Sequence, residues 1–168
     1  MGNIDLVKNK IQSAEKAVKT VHEWRKQPCK IVFTNGCFDL LHLGHIDYLS
    51  KAADMGTHLI IGINTDESVS RNKGPKRPVN LLASRSMVLA ALQCVALVIP
   101  FDTDTPLELI KIIKPDILVK GGDYSIDNIV GADAVRDAGG EVTTIPFVPG
   151  FSSSAIEKKI IEAHNSQL

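Results

Sequence analysis

Short apolar runs alternate with segments of helical periodicity along most of the chain. The apolar runs are rich in valine and isoleucine and have few polar positions, which predicts parallel strands covered on both faces. They span residues 30–34, 58–64, 95–99, 116–120 and 142–145, and the helical segments span 45–55, 82–93, 106–113, 131–138 and 153–163. This order predicts an α/β fold, a Rossmann-like open parallel five-stranded sheet with helices on both faces.

Before the first strand, apolar residues recur at helical spacing. They are Ile4, Val7, Ile11, Ala14, Val18 and Val21. The pattern predicts one N-terminal amphipathic helix over residues 3–26, ended by Pro28. Its apolar stripe is expected to pack on the core of the same chain or on a second subunit. We therefore divide the chain into this helix, at 1–28, and a single domain at 29–168, and we expect a homodimer.

Composition limits the classes of partner. The 168 residues, 44% of them hydrophobic, are enough for one core. Lys plus Arg and Asp plus Glu both number 19, so no net charge attracts nucleic acid or an anionic membrane. The first residues lack the apolar centre of a signal peptide, and no apolar run approaches membrane-spanning length. We expect a cytoplasmic protein that binds neither nucleic acid nor membrane, in which any anion site is a local cluster.

Parallel sheets of this type bind ligands beyond the carboxyl ends of their strands. Four segments follow predicted strands at this edge, and they are expected to meet there: Thr34, Asn35 and Gly36; Asn64, Thr65 and Asp66; Phe101, Asp102 and Thr103; and Lys120, Gly121, Gly122 and Asp123. Neither the G-x-G-x-x-G nor the G-x-x-x-x-G-K-[ST] phosphate-binding pattern occurs in the chain. A dinucleotide dehydrogenase and a P-loop enzyme are therefore poor interpretations.

Two histidines, His42 and His45, flank Gly44 where a helix is expected to begin. A helix N-terminus offers free backbone N–H groups to an anion, and two imidazoles beside it can donate hydrogen bonds to phosphate oxygens. Gly44 would let the backbone approach the ligand closely. The alternatives are a pair of surface or partly buried histidines without function, and a zinc site, for which no third ligand is obvious nearby.

A basic run follows the second strand, in a segment punctuated by glycine and proline. It contains Arg71, Lys73, Lys76 and Arg77. We interpret it as a charged loop that binds anions or forms a lid, with a solvated surface as the alternative. Arg85, on the next helix, either adds to this site or forms a surface salt bridge. Before the last helix, Ser152, Ser153 and Ser154 provide an N-cap and further hydroxyl and N–H groups for a triphosphate.

Three blocks, in this order, carry a family resemblance: "FTNGCFDLLHLGH" with "KGPKRPVN", then "VKGGDY", then "GFSSSAI". The first resembles the G-x-F-D-x-x-H-x-G-H signature of the cytidylyltransferase-like nucleotidyltransferases. The blocks are most similar to the adenylyltransferases of ADP-heptose synthesis, although serines stand where that family usually has Ser-Thr-Thr. The resemblance runs from about residue 30 to residue 160.

The resemblance implies transfer of AMP from ATP to D-glycero-β-D-manno-heptose 1-phosphate, with Mg²⁺ bound to ATP. It implies catalytic roles for His42, His45 and Lys120. It implies nucleotide contacts from Thr34, Asn35, Gly36, Cys37, Phe38, Gly44, Gly121, Asp123, Ser152, Ser153 and Ser154. It implies substrate contacts from Asp39, Asn64, Asp66, Lys73, Arg77 and Arg85. No base is placed to activate the Cys37 thiol, and no protein metal ligand is assigned. The alternatives are a cytidylyltransferase acting on a small phosphorylated alcohol and a non-catalytic nucleotide-binding domain.

Overall fold

The computed structural model of the chain describes residues 2–122 and 125–165. Within them, five parallel strands form one sheet in the order β3-β2-β1-β4-β5. The strands are β1 Ile31–Gly36, β2 His58–Asn64, β3 Val95–Phe101, β4 Ile117–Gly121 and β5 Glu141–Ile145. The helices are α1 Asn3–Asn9, α2 Ala14–Trp24, α3 Leu43–Ala53, α4 Asp66–Lys73, α5 Leu82–Ala91, α6 Leu107–Ile113, α7 Ala132–Asp137 and α8 Ser153–Asn165, with a 3₁₀ turn at Ile126–Asn128. The predicted Rossmann-like sheet is confirmed, and each strand end lies within two residues of its predicted position.

Both faces of the sheet are buried. Because side chains alternate along a strand, Phe33 of β1 joins a core layer with α2, α6 and α7, whereas Val32 joins a second layer with α3 and α5. Both side chains are fully buried. Burying such a residue contributes about 1.5–3 kcal/mol relative to leaving it exposed. The apolar runs therefore fix the sheet, and the helices cover it on either side.

The N-terminal segment forms two helices, and the prediction of one helix over residues 3–26 was wrong. The chain leaves the helical conformation because it pairs with the edge of β3: Gln12 N donates to Val98 O at 3.0 Å and Val98 N donates to Lys10 O at 2.8 Å. Ser13 then caps α2, accepting a hydrogen bond from Lys16 N. Helix α2 packs on the core of its own chain. The division into an N-terminal helix and one domain stays a prediction.

Helix α4 lies where the sequence indicated only a charged loop. Thr65 caps it, accepting a hydrogen bond from Ser68 N at 3.2 Å. Two acidic residues occupy its first turn, where the positive end of the helix dipole stabilises their negative charge. Arg71 and Lys73 are therefore on a helix, and Lys76 and Arg77 follow it in a loop. The prediction of one continuous basic loop was wrong for its first half.

Helix α8 has no buried residue. It is attached through its first turns, where Ser153 Oγ donates a hydrogen bond to Leu40 O at 3.2 Å and Glu157 forms an ion pair with Arg77. In the part of the chain that the structure describes, no helix is long and apolar enough to cross a bilayer.

Candidate active site

A cavity of about 380 Å³ opens beyond the carboxyl ends of β1, β2 and β4. Its lining residues come from seven separate segments: Asn35, Gly36, Cys37, Phe38, His45, Tyr48, Asn64, Asn72, Lys73, Asp104, Lys120, Gly121 and Phe147. Two depressions are larger. One, of about 670 Å³, lies outside β5, and the other, of about 500 Å³, lies between α6 and α7. Neither His42 nor His45 lines them. We take the smaller cavity, at the edge where such sheets bind ligands, as the candidate active site.

His42 and His45 occupy the start of α3. His42 is the N-cap residue, and His45 lies in the first turn with its backbone N–H donating to His42 O at 2.9 Å. The two ring centroids are 3.9 Å apart. Both Nδ1 atoms are buried and have no hydrogen-bond partner in residues 2–122 and 125–165. A buried ring nitrogen without a partner is costly, so a polar ligand atom that reached it would be favoured.

Burial favours the uncharged form of both imidazoles. It lowers the pKa of His45 to about 4, with His42 and Lys73 contributing, and it lowers the pKa of His42 as well. The pair is therefore a set of neutral hydrogen-bonding groups in the ligand-free protein. Among the described residues no group of three or more His, Cys, Asp or Glu gathers in a way that would hold a metal ion. The zinc interpretation thus gains no third ligand there.

The Phe38 ring lies beside the His45 ring. The two ring centroids are 5.5 Å apart, and the Phe38 side chain is buried although it forms part of the cavity wall. Its backbone has φ 48°, the left-handed region that is costly for a residue with a side chain. A Cβ at Gly36 would lie 3.1 Å from this ring, so the glycine makes room for the turn.

Two lysines face the cavity. Lys120, at the end of β4, donates a hydrogen bond to Asn35 Oδ1, and burial lowers the pKa of its ammonium group to about 8. Lys73, on the last turn of α4, is exposed. Neither lysine forms a salt bridge with a carboxylate of the described residues. Their charges are therefore available to an anionic ligand.

Thr34 lies beneath the cavity rather than in its wall. Its side chain is fully buried, and its hydroxyl shares a 2.6 Å hydrogen bond with the Tyr48 hydroxyl, which also donates to Val119 O at 3.1 Å. Burial raises the pKa of Tyr48 to about 12. This chain of bonds ties β1 to β4 through α3. Asn64 does line the cavity, and its amide donates to Ser68 Oγ at 2.9 Å.

Asp39 organises the loop after α4. Its carboxylate accepts hydrogen bonds from the backbone N–H groups of Val79 at 2.8 Å and Asn80 at 2.9 Å, and from Arg77 at 2.8 Å. Burial acts to raise the pKa of Asp39, but the two amides and Arg77 outweigh it and lower the pKa overall. Arg77 also pairs with Glu157 of α8. Neither Asp39 nor Arg77 lines the cavity.

Arg85 is buried, whereas the sequence left open whether it adds to the anion site or forms a surface salt bridge. Its guanidinium donates to Asp66 at 2.6 Å, to Cys37 O at 2.7 Å and to Asn80 O at 2.8 Å. Asp66 in turn accepts a hydrogen bond from Leu82 N at 2.8 Å. Arg85 and Asp66 therefore hold the loops around the cavity without lining it, and the substrate contacts expected of them stay predictions.

The N-termini of α3 and α8 are neighbours. A Cβ built on Gly44 would lie 3.1 Å from the His42 ring and 3.3 Å from Phe151 Cβ, so glycine permits this approach. Ser152 Oγ accepts a hydrogen bond from Ala155 N at 3.1 Å, as an ordinary cap does. Ser154 is exposed. None of the three serines lines the cavity, and Asp123 lies outside the described residues.

Sequence reasoning missed four residues of the cavity wall: Tyr48, Asn72, Asp104 and Phe147. Phe147 follows β5, and its ring lies on Gly121, where a Cβ would come within 2.5 Å of the ring. The paired glycines at the end of β4, Gly121 and Gly122, were the signal for such an approach, but they did not indicate which side chain makes it. The ring gives the cavity an apolar wall.

Comparison with known proteins agrees with this geometry. The model of the family described as Cytidylyltransferase-like matches residues 33–159. The chain is 48% identical over 156 residues to the bifunctional protein HldE of Citrifermentans bemidjiense, an alignment that covers 93% of this chain and 32% of that relative. It is 51% identical over 142 residues to HldE of Gluconobacter oxydans, covering 84% and 30%. The chain thus spans about a third of the length of these curated relatives.

One solved structure gives an independent match. The lipopolysaccharide core biosynthesis protein from Thermoplasma volcanium GSS1 superposes with a TM-score of 0.59 at 28% sequence identity. The match covers 72% of this chain and 98% of that one.

Proposed function

Since the chain belongs to the cytidylyltransferase-like family, we propose that it is a nucleotidyltransferase that transfers AMP from ATP to D-glycero-β-D-manno-heptose 1-phosphate. The products are ADP-heptose and pyrophosphate. The observation that carries the proposal is that His45, Lys73 and Lys120 line one cavity, with the His42 ring centroid 3.9 Å from that of His45. Neither lysine pairs with a carboxylate of the described residues. The similarity to HldE over most of the chain supports the choice of acceptor.

The proposed chemistry needs positioning and charge stabilisation more than proton transfer. A phosphate monoester, whose second pKa is about 6, already carries most of two negative charges at neutral pH, so its oxygen needs no general base. The difficulty is to bring two polyanions together and to stabilise the charge that moves onto pyrophosphate. Lysines, imidazole N–H groups and a helix N-terminus supply such stabilisation.

We assign roles by position. His42 and His45, at the N-terminus of α3, would hydrogen-bond the triphosphate and the charge that develops on it. Lys120, fixed by β4 and by its bond to Asn35, would neutralise charge near the α-phosphorus. Lys73, on the rim, would attract the incoming anions. The N-terminus of α8 with its serines would contact the far end of the triphosphate.

The Mg²⁺ that accompanies ATP would be held mainly by phosphate oxygens. Proteins usually bind this ion through one or two carboxylates together with substrate phosphates and water. Asp39 and Asp66 are already engaged by backbone N–H groups and arginines. Asp104 lines the cavity and keeps one carboxylate oxygen outside its bond with Arg71, so it is the residue that fits such a contact. Bound there, the ion would offset triphosphate charge.

A cytidylyltransferase acting on a small phosphorylated alcohol is the second candidate, because the matching family model carries that nucleotide in its description. A non-catalytic nucleotide-binding domain is the third. The homodimer and the cytoplasmic location stay predictions.

Pyrophosphate release tests the proposal. ATP, CTP, GTP and UTP would each be assayed against a panel of phosphorylated sugars and alcohols that includes heptose 1-phosphate. We expect turnover with ATP and heptose 1-phosphate. Equal or better turnover with CTP, or turnover only with glycerol phosphate, would favour the second candidate, and binding without turnover for every pair would favour the third.

A further inference from the structure

The two strands that flank the crevice, β1 and β4, pair with each other over only part of their length. Among the described residues their register joins Val32 to Ile117 and Phe33 to Leu118, and the pairing ends there. Each strand stays paired with its outer neighbour, β2 or β5, to its own last residue. The sheet is therefore split between its two halves at the carboxyl ends of the strands. This split lies where the strand order reverses, which is the position of the ligand crevice in such folds.

Two side-chain bridges cross the split. Continued by one position, the register would place Thr34 opposite Val119. The Tyr48 hydroxyl bonds to both, at 2.6 Å to Thr34 Oγ1 and 3.1 Å to Val119 O. Continued by one more position, the register would place Asn35 opposite Lys120, and the Lys120 ammonium group donates a hydrogen bond to Asn35 Oδ1. Side chains thus replace the backbone ladder at these two levels, and the Tyr48 bridge is the one nearer the paired part of the strands.

The Tyr48 hydroxyl is occupied on both sides. It donates its only proton to Val119 O, so the Thr34 hydroxyl in turn donates to the Tyr48 oxygen. Burial raises the pKa of Tyr48 to about 12, so the hydroxyl keeps this proton at neutral pH. The ring lines the cavity, but both bonds of the hydroxyl go to the protein. The hydroxyl therefore serves the geometry of the site and not proton transfer.

We propose that Tyr48 is a positioning residue, which fixes the separation of His45 and Lys120 across the crevice. His45 lies one turn before Tyr48 on α3, and Lys120 directly follows the Val119 carbonyl group that accepts the Tyr48 hydrogen bond. Both His45 and Lys120 line the cavity. The inference rests on the proposed function and deepens it. An imidazole from α3 and an ammonium group from β4 stabilise charge on one triphosphate together only if the two elements keep a fixed spacing.

Loss of the Tyr48 hydroxyl should loosen this spacing. Thr34 Oγ1 and Val119 O, both buried, would lose their partner, and water that entered to satisfy them would occupy the split. The Asn35–Lys120 bond would still join β1 to β4, but it does not join either strand to α3. A misplacement of about 1 Å can lower a rate by about 10²-fold, so a small shift of α3 has a large effect on the reaction.

Steady-state kinetics of Tyr48→Phe test the proposal, because this variant keeps the ring and loses only the hydroxyl. We expect kcat to fall roughly tenfold to a hundredfold. KM for ATP should change by less than about threefold, because the ordered spacing matters most in the transition state. Thr34→Val keeps the bond from Tyr48 to Val119 O and should lower kcat by a smaller factor. It carries the test if Tyr48→Phe does not fold.

Thr20→Val is the matched control. The Thr20 hydroxyl donates to Gln12 Oε1 at 2.9 Å, and neither residue lines the cavity. The variant therefore loses a hydroxyl hydrogen bond of similar length outside the crevice, and it should keep the wild-type kcat.

A second measurement separates positioning from a general loss of structure. If Tyr48 acts through the spacing of His45 and Lys120, its hydroxyl matters less once one of the two groups is gone. Tyr48→Phe should therefore lower kcat by a smaller factor in the Lys120→Ala background than in the wild-type protein. An equal factor in both backgrounds, or a folded Tyr48→Phe variant with wild-type kcat, would overturn the proposal and leave the proposed function intact.

If the wild-type protein released no pyrophosphate with any pair of substrates, the proposed function would fail instead. The pKa of Lys120 would then decide whether Tyr48 sets the spacing. Burial lowers this pKa to about 8 from an ordinary value of 10.5, and water in a widened split should raise it again. Competitive acetylation at a series of pH values, read by mass spectrometry, measures it. A rise in Tyr48→Phe but not in Thr20→Val would support the spacing role, and an unchanged pKa in Tyr48→Phe would overturn it.

Discussion

The basic side chains around the cavity divide into two sets. The frame arginines, Arg71, Arg77 and Arg85, each pair with carboxylates of the protein itself. The cavity-facing groups are His45, Lys73 and Lys120; we count His42 with them because its ring lies beside that of His45, although His42 does not line the cavity. Lys73 and Lys120 have no carboxylate partner within the described residues, and both histidines have an unpartnered ring nitrogen there. The sequence placed members of both sets in one anion site.

The difference follows from the chemistry of the side chains. A guanidinium presents several N–H donors in a fixed fork, so one arginine can join a carboxylate and two carbonyl groups from separate loops, as Arg85 does. An ammonium group is a compact charge whose pKa responds to burial, and an imidazole can remain neutral. In this molecule the frame arginines hold the loops in place, whereas the cavity-facing lysines and histidines remain able to bind a ligand.

The largest expected effect is on folding, from Arg85→Ala. Removing a fully buried guanidinium leaves Asp66 and two carbonyl groups without their donor. We expect a loss of about 3–5 kcal/mol in the free energy of unfolding, measured by urea denaturation. Arg71→Ala is the control, because its exposed ion pairs should contribute no more than about 1 kcal/mol. Equal stabilities of the two variants would show that the buried Arg85 contributes no more to folding than the exposed Arg71.

The next largest effect is on catalysis, from His42→Ala and His45→Ala. Each should lower kcat by roughly 10²–10³, about 3–4 kcal/mol, as for loss of one preorganised donor. ATP affinity should fall much less if the contacts strengthen in the transition state. A denaturation curve should be measured for each variant, so that a loss of kcat in a misfolded variant is not attributed to the missing imidazole. A folded variant with near wild-type kcat would remove that histidine from the cavity-facing groups.

The two lysines should separate by kinetic parameter. Lys120→Ala should lower kcat by about 10², with a modest change in KM, because β4 fixes the charge beside the reacting atoms. Lys73→Ala should mainly raise KM for ATP, by a few fold, and the wild-type KM should rise with salt because an exposed charge is screened. Steady-state kinetics at low and high ionic strength would check both. If Lys73→Ala left KM for ATP unchanged at every salt concentration, this lysine would be a solvated surface residue without a role in binding.

The last expected effect is a pH dependence of stability. The pKa of His45 is about 4 in the folded protein, against an ordinary value of 6.5. Between these values the unfolded chain binds more protons at this site, so stability is lost as pH falls from 6.5 towards 4. Urea midpoints across this range should fall less steeply for His45→Gln than for the wild-type protein. His22→Gln, at an exposed position of α2, is the control and should follow the wild-type curve.

The sheet was predictable from the sequence because each strand is a nearly continuous apolar run. The predicted start of the helix at His42 and His45 was close for a related reason, since Tyr48, Leu49 and Ala52 give α3 a buried face. The break between α1 and α2 was not predictable, because it depends on pairing with Val98, far along the chain. Helix α4 was missed because its sequence is mostly polar and carries little periodicity.

Within the site, sequence reasoning identified chemistry better than position. His45 and Lys120 do line the same cavity, and the His42 ring lies beside that of His45 without lining it. Thr34, Asp39 and Arg85 have the side chains that an anion or sugar site requires, yet all three are buried among protein partners. Whether a polar residue faces a ligand or another loop depends on contacts between remote segments. Phe147 was missed for the same reason, since it reaches Gly121 from the end of the neighbouring strand.

The attachment of α8 through its first turns has a consequence for local opening of the fold. A helix without buried residues can detach while the sheet stays intact, so its amide protons should exchange through a small, local opening equilibrium. If the triphosphate contacts the α8 N-terminus as proposed, a bound nucleotide opposes that opening by an amount that grows with its concentration. Occupancy of the crevice would then be recorded as slower exchange of amide protons in the C-terminal helix.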